Sequence, residues 1–123
     1  MSVGYILVNY SRSEVIGFTH VSASTKNEIS GNSVAAAITT WYLLEHAGDS
    51  VAFVSDTHGD WPFPSGSSAD LASYKDVTDQ TIDLLVAAGI IRDDGRETFL
   101  DDPDSYIRIL HNIWIGQSHK AGV

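Results

Sequence analysis

The residues best suited to chemistry stand together in one short stretch, Ser55-Asp56-Thr57-His58-Gly59-Asp60, directly after the apolar residues 51–54. Asp56 and His58 are two apart at the end of an expected strand, where side chains alternate with period two, so both point the same way. A carboxylate and an imidazole on one side can share a divalent metal ion. Asp60 then opens Asp60-Trp61-Pro62-Phe63-Pro64, in which two prolines stiffen the backbone. Trp61 and Phe63, with Tyr74 further on, offer aromatic area of the kind that anchors interfaces. A second group is acidic. From Asp70 to Asp104, ten carboxylates stand against Lys75, Arg92 and Arg96. Asp93, Asp94, Asp101, Asp102 and Asp104 form one patch if the chain folds back between them.

The string VAFVSDTHGD, residues 51–60, resembles the first block of the calcineurin-like metallophosphoesterases, a hydrophobic strand ending in Ser-Asp-x-His-Gly. In that family paired metals clamp the attacking and leaving oxygens at phosphorus. The resemblance implies that Asp56 and His58 are metal ligands of a phosphoesterase-like hydrolase. The family's later blocks do not follow. Only His111 and His119 come after residue 60, and neither has the family's Gly-His context. Gly48-Asp49 precedes the block, and Gly31-Asn32 is followed by Ser33 where the family has His. A two-metal site is therefore not expected, and no catalytic residue is assigned from the sequence.

The chain has 123 residues, which predicts one domain, 1–123. Its net charge is −9, with no cysteine. Nucleic-acid binding needs clustered Lys and Arg, so none is expected. A helix followed by a hairpin over residues 78–100 resembles a winged helix, but TDQTIDLLVAA has no basic residue with which to read DNA. No apolar run is long enough to cross a membrane. The start, MSVGYILVNYSR, lacks the basic flank of a signal peptide, and the absence of cysteine fits a reducing compartment, so a cytoplasmic location is expected. There is no Gly-rich phosphate loop and no Gly-x-Ser-x-Gly elbow. No cofactor is expected, a divalent metal at Asp56 and His58 being the alternative.

These groups need elements to position them. Residues 5–10 and 14–18 predict a hairpin across Ser11, Arg12 and Ser13. Residues 19–31 are polar and predict a loop. A helix follows, capped by Asn32 or Ser33 and stopped at Gly48, with Val34, Ala37, Ile38, Trp41 and Leu44 on its core face. Residues 51–55 predict a central buried strand, and 56–75 a long loop. A second helix spans 78–88, capped by Asp76 or Thr78, ended by Gly89 and packed through Ile82, Leu85 and Val86. Asp94-Gly95 predicts a two-residue turn that sets Asp93 against Arg96 and Arg92 against Glu97. Asp102 and Pro103 favour a final helix, although Tyr106, Ile107 and Ile109 favour a strand. Residues 116–123 predict a frayed tail. The expected fold is α+β, a mixed or antiparallel sheet with two to three helices, in the order β-β-α-β-loop-α-β-β-(α).

The function expected from these features is protein binding. A small acidic domain would use its acidic residues and aromatic loop against a basic protein partner, as an immunity or antidote-type inhibitor does. The alternatives are the phosphoesterase-like hydrolase and a housekeeping or structural domain, for which a homo-oligomer is an option.

Overall fold

Side chains along residues 5–9 alternate between two faces, and their run is apolar because both faces are covered. The computed structural model describes residues 3–55, 61–99 and 102–115, with backbone alone at 99 and 102–104. β1 (Tyr5–Asn9) turns back into antiparallel β2 (Glu14–Ile16), as the sequence predicts, pairing Leu7 with Ile16 and Val8 with Val15. β3 (Val51–Ser55) lies antiparallel on the other side of β1, and β4 (Lys75–Asp76) lies parallel to β2. The mixed sheet has the order β3-β1-β2-β4. Residues 51–55 are thus an outer strand and not the central one expected. Their apolar run reflects packing on two faces and carries no information about place in the sheet. Val54 is buried, while Phe53 remains 39% exposed.

Helices cover one face. α1 (Lys26–Gly31) occupies part of the segment expected to be loop. Thr25 and Glu28 start it with a capping box, each side chain satisfying the other's backbone N–H. α2 (Ser33–Glu45) begins at Asn32, whose side-chain oxygen accepts from the N–H groups of Val34 and Ala35. It stops at His46, before the predicted Gly48. Its buried stripe is Val34, Ala35, Ile38 and Tyr42, rotated from the expected one, and Leu44 is 72% exposed. Apolar residues surround this helix, so periodicity alone does not select a face. Tyr42 is held inward by the hydrogen bond from its hydroxyl to Glu14, 2.8 Å.

α3 (Thr78–Ala87) starts where the Asp76 carboxylate accepts from the Thr78 N–H and hydroxyl, at 2.9 and 2.6 Å. It ends as predicted. Gly89 has φ +79°, its N–H donates to Val86, and the Ile90 N–H donates to Leu85, which closes the last turn. Ile82 and Leu85 face the core, but Val86 is exposed and Thr81 is buried in its stead. Leu7, Ile16, Ile38, Tyr42, Ile82 and Leu85 meet in the main core.

The other sheet face is covered by residues 61–74. Phe63 packs with Val8, Val15 and Val54, and Trp61, Leu71 and Tyr74 lie against the same cluster. The Phe63 ring stacks on Tyr10 at 5.0 Å, and the Trp61 indole donates to the Ser65 carbonyl at 2.7 Å. A 3-10 turn, Ser68–Ser73, closes the segment. The described part of the long loop is an anchored cover.

β5 (Ile91–Phe99) and β6 (Asp102–Asn112) form a second, antiparallel sheet that packs on α2 and α3. Two expectations fail here. Asp94-Gly95 is not a turn but a bulge: pairing passes from Asp93↔Leu110 to Arg96↔Arg108, so two residues of β5 oppose Ile109 alone. Arg92 faces His111 and Glu97 faces Ile107, in place of the charge pairs expected. Residues 105–112 are strand, not helix. Leu110 packs on the core and Asn112 bonds the Ser33 carbonyl, while Ile109 and His111, which alternate with them, are exposed. That period-two alternation outweighs the Asp102-Pro103 helix start. The α+β class holds, with the last helix replaced by a strand. Among the described residues, no helix is long and apolar enough to cross a membrane. The expected tail, 116–123, lies outside the described residues.

Candidate functional site

α3 and the β5–β6 hairpin enclose a polar cleft of about 310 Å3. It is lined by Asp79, Asp83, Asp93, Gly95, Arg96, Tyr106 and Arg108. Asp79 and Asp83 are one turn apart on α3 and so share a flank of the helix. Tyr106 and Arg108 alternate with Ile107 and Ile109, which brings both to the helix side of β6. The bulge gives β5 its local kink beside the cleft. Gly95 has φ +114°, a conformation that suits glycine, and its N–H donates to Asp93 at 2.9 Å.

Arg108 is the centre of the cleft. Its guanidinium donates to Asp93 at 2.6 Å, to Asp79 at 2.9 Å and to Asp83 at 3.1 Å. Its side chain is nearly buried, while those of Asp79 and Asp83 are 41% and 70% exposed. Burial works against the Arg108 charge. Its hydrogen bonds to Asp93, Asp79 and Asp83 outweigh it and hold the pKa above the ordinary arginine value. Asp93 moves the other way: the bond from Arg108, then that from the Gly95 N–H, hold its pKa below the usual aspartate range.

His20 closes one end. It has φ +68°, sparsely populated for a residue with a side chain, and Phe18, two residues earlier, has φ +55°. The strain is held by three contacts. The His20 carbonyl accepts from the Arg108 N–H at 2.8 Å, its Nδ1 lies 3.3 Å from Asp79, and its ring stacks on Tyr106 at 3.7 Å. The Arg96 guanidinium also lies over Tyr106, at 4.2 Å from the ring centre. Two groups at such range must use opposite faces of the ring.

A second polar cluster binds the β1–β2 hairpin to the end of α2. Asn9, fully buried, donates to Asp49 at 3.0 Å and accepts from the Arg12 N–H. The Arg12 side chain reaches Asp49 at 2.7 Å. These bonds, that from Asn9 first, lower the Asp49 pKa. Burial, then the bond to Glu14, raises that of Tyr42. Each polar group here has a partner, so the cluster fastens the fold.

Of the residues singled out in the sequence, Asp93 enters the cleft. Asp94 turns aside to Arg92, 2.9 Å, and His111, 3.3 Å. Trp61, Phe63 and Tyr74 pack on the sheet face opposite the helices, so the structure does not unite them with the acidic group. Asp56, His58, Asp60 and Asp101 lie outside the described residues, and Asp102 and Asp104 belong to β6 by backbone alone. Among the described residues, no group of three or more His, Asp or Glu is arranged to hold a metal ion. Sequence reasoning missed Asp79, Asp83, His20, Tyr106 and Arg108. The i, i+4 spacing of Asp79 and Asp83 was a visible signal, but Arg108 joins them only once 105–112 is a strand.

The cleft is thus three carboxylates gathered around Arg108, with a second cation, Arg96, in its lining and two of the carboxylates still open to water. Compared with protein families, with curated proteins and with solved structures, the chain finds no match.

Proposed function

We propose that this chain is a protein-binding domain that docks a basic protein partner on the acidic cleft of α3 and the β5–β6 hairpin, as an immunity or antidote-type inhibitor does. The observation that carries this reading is the convergence of Asp79, Asp83 and Asp93 on one cleft, with Asp79 and Asp83 exposed while they hold Arg108. An ionised carboxylate has about four acceptor sites, and the resident guanidinium does not fill them. An incoming arginine or lysine gains charge-assisted hydrogen bonds there. The net charge of −9 adds longer-range attraction and speeds encounter.

An amide-shift titration with an oligo-arginine peptide tests the reading. Saturable shifts centred on residues 79–83, 93–96 and 106–108 are expected. Asp83→Asn weakens binding by up to about fivefold, the worth of one exposed ion pair of ~1 kcal/mol. Shifts spread evenly over the chain, or unaffected by that substitution, contradict it.

A further inference from the structure

Within β3 itself the outer edge lacks the charge, proline and bulge that commonly blunt a sheet edge. Val51, Ala52, Phe53, Val54 and Ser55 include no charge and no proline, and all five pair with β1 without a bulge. The Tyr10 N–H donates to the Ser50 carbonyl. In this antiparallel register the backbone groups of Ala52 and Val54 therefore bond β1, and those of Val51 and Phe53 point away from it. Among the described residues, no strand pairs with that side.

A groove of about 260 Å3 lies beside this edge, lined by Tyr5, Phe53 and the α1 residues Lys26, Ile29 and Ser30. Its walls are mainly apolar. Phe53 is half-exposed and sits edge-on to Tyr5 at 6.4 Å. Lys26 is exposed at the groove and forms no ion pair among the described residues.

We propose that this edge and groove bind an extended peptide segment of a partner by strand addition. The peptide pairs with the outward N–H and C=O groups of Val51 and Phe53, which supplies affinity. One apolar side chain enters the groove. Alternation puts the side chain two residues away on the same face, where Lys26 selects a carboxylate. The recognised pattern is apolar-x-acidic. This face is separate from the acidic cleft, so either proposal can fail alone.

Three capped hexapeptides serve as probes in an amide-shift titration of the full chain: Thr-Val-Thr-Leu-Thr-Glu, the same with Lys for Glu, and the same with Pro for the Thr before Leu. Saturable shifts at Lys26, Ile29, Val51 and Phe53 are expected, strongest with Glu, weaker with Lys and absent with Pro. Phe53→Pro removes an N–H that makes no bond to β1, a position where an edge strand tolerates proline, and abolishes binding. Lys26→Glu, on the exposed side of α1, reverses the Glu-over-Lys preference and keeps the test decisive if the proline variant unfolds. No saturable shift at this edge at millimolar peptide, or equal binding of the Glu and Lys peptides, overturns the proposal. A concentration-dependent dimer by light scattering that Phe53→Pro disperses also overturns it, because the occupant is then a second copy.

Discussion

Arg108 of β6 donates to Asp93 of β5 at 2.6 Å, one residue before the Asp94-Gly95 bulge. The same guanidinium reaches Asp79 and Asp83 of α3, so one side chain ties the hairpin to the helix. An isolated two-stranded hairpin is marginally stable in water. The cleft is therefore a fastening as well as an acidic surface, and its stability and binding effects have to be separated by choice of residue.

Arg108→Met leaves Asp79, Asp83 and Asp93 close together without their shared cation. The expected loss is about 2 kcal/mol, less than the ~3–5 of a fully buried pair because two of the carboxylates stay in water. A lower urea midpoint with an unchanged slope is the expected result. The deficit narrows as salt screens the carboxylates.

Asp93 makes stability pH-dependent in acid. Its native pKa lies below that in the unfolded chain, where aspartate titrates near about 3.9. The unfolded state then binds the proton first, so the stabilisation is full above that value and is lost as pH falls through the lower native one. Asp93→Asn should flatten the decline of stability below about pH 4 relative to the parent chain. Thermal unfolding across an acid pH series measures this.

Phe63 and Trp61 separate packing from adjacency. Phe63 is buried against Val8, Val15 and Val54, so Phe63→Ala should cost about 3–5 kcal/mol. Trp61 is half-buried and makes one hydrogen bond, so Trp61→Ala should cost about half of that. Denaturant midpoints of the two variants give the comparison.

The bulge rests on Gly95, whose φ of +114° a side chain rarely adopts although open space surrounds it. Gly95→Ala should cost about 1–3 kcal/mol through backbone strain alone. Hydrogen exchange should show faster opening of β5 and β6 and little change in β1.

Local signals explain how much of this was legible in the sequence. The β1–β2 hairpin, the Asn32 cap and the Gly89 stop each depend on a few adjacent residues, and each forms where expected. The Thr25/Glu28 capping box was equally local, but the polar residues around it read as loop. What failed depends on distant partners. Asp94-Gly95 is a good turn pair and an equally good bulge pair. The choice falls to β6, which offers eleven residues to pair with. Tyr42 turns inward and Leu44 outward because Glu14, far away in sequence, accepts the hydroxyl. The acidic cleft was half legible: its carboxylates were countable, whereas the cation that gathers them needed the fold.

The most direct measurement of the central claim is the association rate of an oligo-arginine peptide with the parent chain and with Asp83→Lys, across ionic strength. Asp83 is the most exposed of the three carboxylates, so this change leaves the Arg108 bonds to Asp79 and Asp93 in place. Attraction by an acidic cleft predicts a rate that falls as salt shortens the screening length to about 8 Å at physiological strength. It also predicts a slower and flatter profile for the variant, with circular dichroism unchanged. Equal rates for the two chains, or a parent rate indifferent to salt, would contradict the claim.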